Sequence, residues 1–325
     1  MTEFDAAPTL VDFADVAADA AFAAGDRLRS AFRTGHVAGE YGTDDVKTEI
    51  DEQAEQAVLD VLDERVSGHA THGEESGRRG ESDHVWVIDP LDGTNNFAAG
   101  LPSFATAVCC VRDDQPVAAA VYEPLPESLY LAVAGGVDGA SDVGADDAGE
   151  GGDARLLEGD ALSAVRDDGV VAVNRSAAHD ADRSSLTLGT PLRADSETPL
   201  EHATISYVVG LPAVRDPGLR AQSRSVRDAL EPLPKRVLET WSPCVDWGLL
   251  ARGGTEAVVT FHPDPYEQFP GTLLAETSGA AIRSRRGLYV AAADERVADR
   301  LFDVASGAID ATDAGRMGDG DGGAD

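Results

Sequence analysis

The sequence predicts a layered protein of the α/β or α+β class. Two stretches near its start, residues 9–33 and 49–66, carry apolar side chains at the spacing of helices. Short apolar runs separated by turn residues follow them and predict strands. Helix and strand signals recur through the second half without an internal repeat. Mixed elements in two halves favour stacked layers of sheets and helices.

The first half begins with the helices and continues with the strands. Thr48 is a suitable N-cap for the second helix, with Asp51 at its third position. The predicted strands are residues 85–88, 104–111, 117–122 and 128–133. We expect the first strand to end at Asp89-Pro90, because proline cannot continue a ladder of hydrogen bonds. Residues 135–160 are mostly Gly, Asp and Ala, which predicts a solvated loop.

The second half contains a further set of helices and strands. The predicted strands are residues 170–173, 204–209, 256–261 and 282–290, and the predicted helices are residues 217–231, 242–252, 266–278 and 293–308. These signals predict an N-terminal α+β domain over residues 1–165 and a C-terminal α/β domain over residues 166–310. Residues 311–325 are rich in Gly and Asp, which predicts a disordered acidic tail.

The composition is strongly acidic. The 325 residues include 59 Asp and Glu against 26 Lys and Arg, so the formal net charge is −33. This charge argues against nucleic acid or an anionic membrane as partner, because both attract Lys and Arg. It still permits a small anion held by metal ions. Asp outnumbers Glu by 38 to 21 and lysine occurs only twice, which resembles the composition of proteins from salt-accumulating halophiles.

The sequence carries no targeting or redox signature. Its first residues have neither a basic segment nor a long apolar run, and no stretch approaches ~20 apolar residues. The three cysteines, Cys109, Cys110 and Cys244, lack the spacing of a disulfide framework or a zinc site. We therefore expect a cytoplasmic protein without a membrane span.

The densest chemical signal is the segment Asp89-Pro-Leu-Asp-Gly-Thr94. A predicted strand delivers Asp89, and Asp92 follows beside Gly93, which permits a tight turn. Two carboxylates at one turn suit a hard divalent cation such as Mg²⁺. Thr94 stands where a helix could begin, so backbone N–H groups there could hold a phosphate. Taken alone, the segment also fits a plain strand end with Asp and Gly as turn formers.

Two acidic positions upstream make the signal more specific. Glu74 belongs to a Glu-Glu pair, and Asp51 lies at the start of the second helix. Each alone fits a solvated surface. In this order and spacing, Asp51, Glu74 and D-P-L-D-G-T resemble the inositol monophosphatase superfamily. Its members are Mg²⁺-dependent, lithium-sensitive phosphatases, including fructose-1,6-bisphosphatases and 3′-phosphoadenosine-phosphate phosphatases. The resemblance covers about residues 10–295 and implies an αβαβα sandwich.

The second half extends the resemblance. Tyr266-Glu267-Gln-Phe-Pro270 is similar to the late motif of fructose-1,6-bisphosphatases, although the family's usual residue in place of Glu267 is Asp. The predicted helix from Ser242 looks like the family's helix that carries small residues beside the substrate.

The resemblance implies a role for each matching residue. Two or three Mg²⁺ ions would be held by Glu74, Asp89, Asp92, Glu267 and the carbonyl of Leu91. The implied catalytic residues are Asp51 and Thr94, which orient and deprotonate the attacking water, and Glu74. The implied substrate contacts are Gly93, Thr94, Asn95, Ser242, Pro243 and Cys244. No covalent nucleophile is needed for this chemistry.

The choice of substrate stays open. Thr260 stands where the family commonly has an acid that contacts substrate hydroxyls, and Phe261 stands where bisphosphatases place a lysine. The implied substrate is a small phosphorylated polyol or sugar: inositol monophosphate, fructose 1,6-bisphosphate, or a related sugar or nucleotide ester. The resemblance also implies inhibition by Li⁺ and a possible homodimer or homotetramer.

Two other interpretations fit parts of the sequence. The haloacid dehalogenase class has D-x-D-G-T after a strand, whereas Asp89 and Asp92 are three positions apart. A non-catalytic phosphate- or metal-binding family member would explain the altered positions of the second half. Such a protein would not need the water-activating pair Asp51 and Thr94.

Overall fold

The computed structural model describes residues 9–35, 39–41, 46–135, 152–167 and 189–318. Its helices are α1 (Leu10–Thr34), α2 (Glu49–Arg65), α3 (Thr94–Ala99), α4 (159–167), α5 (Leu211–Arg215), α6 (Pro217–Leu230), α7 (Pro243–Ala251), α8 (Pro265–Thr277) and α9 (Glu295–Gly318). Within the described ranges, no helix is long and apolar enough to cross a membrane.

The strands fall into three sheets. They are β1 (Gly39–Tyr41), β2 (Val46–Thr48), β3 (Ala70–Gly73), β4 (Gly77–Arg79), β5 (His84–Asp92), β6 (Ala105–Arg112), β7 (Gln115–Glu123), β8 (Ser128–Val133), β9 (Asp153–Leu157), β10 (Thr190–Pro191), β11 (Thr204–Val209), β12 (Arg236–Leu238), β13 (Ala257–Phe261), β14 (Ala281–Arg285) and β15 (Leu288–Ala292). The first two strands pair with each other in an antiparallel ribbon.

The first helix forms where the apolar spacing predicts it. The Asp12 amide donates to the Thr9 side chain at 3.3 Å, and the Thr9 amide donates to the Asp12 carboxylate at 2.7 Å. This capping box fixes the start of α1. The helix ends at Gly35, whose φ of 67° is the left-handed conformation common at helix ends.

The larger sheet has eight strands in the order β10-β9-β8-β7-β6-β5-β3-β4. Strands β3 and β5 are parallel, and the other neighbouring pairs are antiparallel. Because β10 follows residue 166, the second half contributes a strand to this sheet. The division of the chain at residue 165 stays a prediction.

The smaller sheet has five strands in the order β12-β11-β13-β15-β14. Strand β11 runs parallel to both of its neighbours, whereas β15 is antiparallel to β13 and β14. These strands come from the segments 204–209, 256–261 and 282–290 that the sequence predicts, with β12 added at one edge.

Three apolar clusters join the elements into five layers. The first packs α1 and α2 on the face of the larger sheet that contains Trp86 and Ile88. Val87 belongs to the opposite face, where the second cluster joins α7, α8 and the smaller sheet. The third packs α6 and α9 on the far face of the smaller sheet. This α-β-α-β-α order confirms the predicted sandwich.

Strand β5 does not end at Asp89-Pro90, as the sequence predicts, but continues to Asp92. The pairing of β5 with β6 shifts register between Asp89 and Asp92. This shift is a β-bulge. Pro90 is tolerated there because a bulged residue need not donate a backbone hydrogen bond to the neighbouring strand. The Thr106 hydroxyl donates to the Pro90 carbonyl at 3.0 Å and holds the bulge.

Residues 135–160 are not wholly a loop, because β9 lies within them and pairs antiparallel with β8. Ala154 and Leu157 are buried, so a short apolar pattern decides the structure there despite the polar composition. Helix α4 also begins inside this range, at residue 159. The predicted strand at residues 170–173 lies outside the described residues.

The predicted disorder of residues 311–325 is wrong for residues 311–318, which continue α9. The helix passes its predicted end at residue 308 because Ile309 is buried in the third apolar cluster. The Gln222 amide of α6 also donates to Asp313 at 2.6 Å. Composition alone could not reveal these contacts with another helix.

Candidate active site

The bulge of β5 brings two carboxylates to one point. Asp89 and Asp92 are 5% and 3% exposed. Gly93, with φ of 90°, then turns the chain into α3. A Cβ atom there would lie 2.9 Å from the Ser103 carbonyl and 3.1 Å from Ser242 Oγ. This turn therefore requires glycine for both its conformation and its packing.

Glu74 reaches the same point from the neighbouring strand. Its amide donates to the Ile88 carbonyl at 3.2 Å, at the end of the β3–β5 pair. Glu55 of α2 supports this turn, because its carboxylate accepts hydrogen bonds from the amides of Glu75 (2.8 Å) and Ser76 (2.9 Å). The second acid of the Glu-Glu pair thus belongs to a structural turn, and Glu74 faces the cleft.

Glu267 completes the acidic cluster from the opposite side. It lies in the first turn of α8, where a capping box pairs it with Asp264. The Asp264 amide lies 3.4 Å from Glu267 Oε1. Burial raises the pKa of Glu267 well above its usual value, and the charge of Asp92 raises it further. The structure therefore brings Glu74, Asp89, Asp92 and Glu267 together, as the resemblance implies.

The surroundings of Asp89 fit a cation. Burial raises the pKa of Asp89 well above its usual value, and the charge of Glu74 adds to this effect. Its Oδ1 atom has no hydrogen-bond partner in the part of the chain that the structure describes. Buried charges of one sign need a compensating charge, and hard divalent cations prefer oxygen donors. The donor set therefore suits Mg²⁺.

Asp92 is held by hydrogen bonds from the start of α7. Ser242 Oγ donates to Asp92 Oδ2 at 2.6 Å, and the Cys244 amide donates to the same atom at 3.0 Å. Burial raises the pKa of Asp92 to about 7 although these donors lower it. The side chains of Ser242 and Cys244 are fully buried, so they support the cluster. Their predicted contact with substrate stays a prediction.

Asp51 and Thr94 form a second pair beside the carboxylates. Asp51, in the first turn of α2, is 3% exposed. Thr94 Oγ1 lies 3.1 Å from Asp51 Oδ1 and 3.0 Å from the Leu91 carbonyl oxygen. The hydroxyl can donate its one proton to either atom and can accept from a third group. The pair thus has the geometry of a proton-transfer unit, and Leu91 is oriented toward it.

The four carboxylates of the acidic cluster and Thr94 line a cleft of about 630 Å³. Asn95 and Pro243 also line it, together with Glu74, Asp89, Leu91, Asp92, Gly93, Thr94 and Glu267. The other walls come from β11, α5, α6 and the segment before α7, which includes Trp241. The cleft is large enough for a small organic ligand.

One wall of the cleft carries arginines that the sequence analysis missed. Arg220, Arg224 and Arg227 lie at positions i, i+4 and i+7 of α6, and Arg215 of α5 joins them. Arg227 donates to Glu239 and Glu231. Arg215 and Arg224 form no ion pair with any residue in the described ranges. The i, i+4, i+7 spacing was the signal that could have revealed this face.

A family model described as the inositol monophosphatase family matches residues 10–299. The chain belongs to this family. One similar protein is phosphatase IMPL1, chloroplastic, of Arabidopsis thaliana, which is 46% identical over 84 residues, or 25% of this chain and 23% of the relative. Another is inositol-1-monophosphatase of Synechocystis, which is 36% identical over 121 residues, or 36% of this chain and 42% of the relative. Fructose-1,6-bisphosphatase/inositol-1-monophosphatase of Aquifex aeolicus is 36% identical over 131 residues (39% and 49%). Each alignment spans less than half of the relative's length.

Solved structures of other proteins share the fold of this chain. The extragenic suppressor protein suhB from Bartonella henselae superposes with a TM-score of 0.66 and 18% identity, over 89% of this chain and 96% of that one. A Thermotoga maritima IMPase has the same TM-score and identity, over 93% and 99%. At this identity the likeness establishes the fold alone.

In this inositol monophosphatase family member, the two residues that the sequence analysis singled out for substrate choice lie away from the cleft. Thr260 and Phe261 are buried in β13, and Thr260 Oγ1 donates to Gln268 Oε1 at 3.2 Å. Neither residue lines the cleft. Asp264 and Tyr266, at the start of α8, line it on that side. The residues on that side of the cleft therefore differ from those that the sequence comparison singled out.

Proposed function

We propose that this chain is a Mg²⁺-dependent phosphatase of a small phosphorylated polyol or sugar. The supporting observation is that two buried and two partly buried carboxylates line one cleft: Asp89, Asp92, Glu74 and Glu267. Thr94 lines the same cleft and is hydrogen-bonded to the buried Asp51. A phosphate monoester is a dianion, so a site of carboxylates alone would repel it. Divalent cations bound by the carboxylates would offset their negative charge and attract the phosphate.

Each side chain has a defined task in this proposal. Two or three Mg²⁺ ions would be held by Glu74, Asp89, Asp92, Glu267 and the Leu91 carbonyl. When bound, Mg²⁺ supplies positive charge that neutralises the phosphate and lowers the pKa of water beside it. Thr94 donates a hydrogen bond to Asp51 and accepts one from the attacking water. As the water oxygen bonds to phosphorus and the ester P–O bond breaks, a water proton passes to Thr94 Oγ1 and the Thr94 proton passes to Asp51, while the leaving alkoxide takes a proton from solvent.

The non-catalytic alternative is less consistent with the site. A binding protein needs carboxylates to hold its cation, but it does not need a carboxylate–hydroxyl pair beside them. Thr94 Oγ1 lies within hydrogen-bond distance of Asp51, and Asp51 is almost completely buried. Water activation requires such a hydrogen-bonded carboxylate–hydroxyl pair next to the cation site, which favours catalysis.

The arginines of α6 favour a second candidate, a bisphosphatase. Arg215 and Arg224 line the same cleft as the carboxylate cluster and could pair with a second anionic group of the substrate. Fructose 1,6-bisphosphate has two phosphates at opposite ends, and the name of the Aquifex relative includes this activity. Inositol monophosphate has no second phosphate to use these arginines.

The test is phosphate release in high KCl with Mg²⁺, from inositol 1-phosphate and fructose 1,6-bisphosphate side by side. We expect release from at least one ester, and the preferred ester decides between the two candidates. Absence of release from these esters and from a wider panel of sugar and nucleotide phosphates, by folded protein that binds Mg²⁺, would contradict the phosphatase proposal.

We predict that Arg224→Ala raises KM for fructose 1,6-bisphosphate by about tenfold, because a charged hydrogen bond to the second phosphate is lost. The effect on KM for inositol 1-phosphate should be much smaller. Arg300→Ala, on the exposed side of α9, is the matched control. Equal effects of Arg224→Ala on both esters would rule out a role in binding a second phosphate.

We also propose that the fold is adapted to high salt. With 59 acidic and 26 basic residues, the surface repels itself at low ionic strength. At about 1 M salt the screening length falls to about 3 Å, which weakens this repulsion. The thermal unfolding midpoint should therefore rise as KCl is added, and an equal osmolality of sucrose should not reproduce the whole rise. A midpoint independent of KCl would disprove the adaptation.

A further inference from the structure

Cys244 lies at the acidic cluster rather than in the general core. Its side chain is fully buried in the first turn of α7. Its Sγ atom, one carboxylate oxygen of Asp89 and one of Asp92 all lie within 4.8 Å of one another. Among the described residues, this is the one group of three or more His, Cys, Asp or Glu side chains whose donor atoms all lie within that distance.

Two atoms of this group have no hydrogen-bond partner among the described residues. Asp89 Oδ1 is buried without a hydrogen bond, and no hydrogen bond joins the Cys244 thiol to any described residue. Both atoms lie beside the buried Asp92 carboxylate, where a cation would compensate the negative charge.

The donor types in this group are mixed. Mg²⁺ prefers oxygen ligands to sulfur ligands, whereas Zn²⁺ and similar ions bind thiolate and carboxylate together. Zinc bonds of about 2.3 Å to sulfur and 2.0–2.2 Å to oxygen allow donors about 4 Å apart to share an ion. The three donor atoms lie within 4.8 Å of one another, so the site forms when the side chains move closer together around the ion.

We propose that Cys244 makes this cluster a binding site for thiophilic divalent cations of the Zn²⁺ and Cd²⁺ class. Binding breaks the Sγ–H bond, releases the proton to solvent and forms an Sγ–metal bond, without any change of oxidation state. The site uses Asp89 and Asp92, so a thiophilic cation and Mg²⁺ compete for the same carboxylates. The cation would therefore exclude Mg²⁺ from its place beside the phosphate.

The test is a spectroscopic titration of the metal-free, full-length protein with Cd²⁺ under reducing conditions. Thiolate bound to Cd²⁺ gives an ultraviolet charge-transfer band that carboxylate ligands alone do not give. We expect a saturable band at one equivalent in the wild type, weakened by excess Mg²⁺. Loss of an outer-shell partner already weakens metal binding 10–100-fold. Loss of the direct donor in Cys244→Ser should remove the band and weaken Cd²⁺ binding by at least about tenfold.

The other cysteines provide the matched control. Cys109 and Cys110 are buried on opposite faces of the larger sheet, in different apolar clusters. The double variant Cys109→Ser/Cys110→Ser, which keeps only Cys244, should retain the band. Absence of the band in folded wild type or in the folded double variant, or its persistence in Cys244→Ser, would overturn the proposal.

Phosphate release with Mg²⁺ is measured on the same wild-type preparation. An active enzyme without the band overturns the thiolate site alone. A band in a protein that hydrolyses no ester supports the thiolate site and argues against the phosphatase proposal. The two proposals can therefore fail separately.

Discussion

Replacing Asp89 by asparagine should lower the rate of Mg²⁺-dependent phosphate release by at least about 10³-fold. The side chain is buried, and its Oδ1 atom has no partner within the described part of the chain. Asparagine keeps the shape but removes a negative charge and a strong oxygen donor. Release rates at saturating Mg²⁺ measure the effect directly.

The same variant should not be unstable without metal. Burial and the charges of Glu74, Asp92 and Glu267 disfavour ionised Asp89, so its thermal midpoint in metal-free buffer should equal or exceed that of the wild type. Glu123→Gln is the matched control, since this buried carboxylate accepts a hydrogen bond from Tyr130 at 3.0 Å outside the cleft. It should keep its activity. Asp89→Asn activity within about tenfold of the wild type would contradict a role as metal ligand.

Removing the Asp51–Thr94 pair should affect kcat rather than metal binding. Loss of a general base lowers rates by about 10²–10⁴-fold, and we expect this range for both Asp51→Asn and Thr94→Val. Because Thr94 Oγ1 lies 3.1 Å from Asp51, the double variant should be little worse than either single one. KM and the Mg²⁺ concentration for half-maximal rate should change little.

Asp60→Asn is the control for the helix itself. Asp60 lies on the exposed side of α2, where it accepts a hydrogen bond from Gln56 at 2.7 Å. Its replacement should leave kcat unchanged. Two results would contradict a single proton-transfer unit. One is a double variant whose loss of kcat equals the product of the two single losses. The other is a main effect of Asp51→Asn or Thr94→Val on the Mg²⁺ concentration for half-maximal rate.

The sequence carried enough information to predict the acidic cluster because much of it is local. Asp89 and Asp92 belong to one turn, and Gly93 can adopt the conformation which that turn needs. The position of Glu267 was harder to predict from the sequence, because its distance from the other carboxylates depends on how α8 packs between the two sheets. The capping box with Asp264 fixes its position and accounts for a glutamate at this helical position.

The details that the sequence missed depend on contacts between distant segments. The β5 bulge at Pro90 exists because β6 supplies the Thr106 hydroxyl. The end of α9 is stabilised by α6, through the hydrogen bond from Gln222 to Asp313. Neither partner is close in sequence, so composition and spacing could not reveal the contact.

The placement of Ser242 and Cys244 has the same origin. Both lie at the start of α7, where they donate hydrogen bonds to Asp92 from a distant part of the chain; their predicted contact with substrate stays a prediction. The arginine face of α6 becomes part of the cleft only through the packing of that helix on the smaller sheet. Substrate specificity is therefore harder to predict here than the chemistry.

The dependence of phosphate release on Mg²⁺ tests the central claim most directly. Wild-type protein is freed of metal with a chelator in high KCl, and release from the better ester is followed as Mg²⁺ is restored. We predict no release without Mg²⁺ and a saturable return as it is added, with no return in Asp89→Asn. Release that persists in metal-free protein, or returns equally in Asp89→Asn, would contradict catalysis at this cluster.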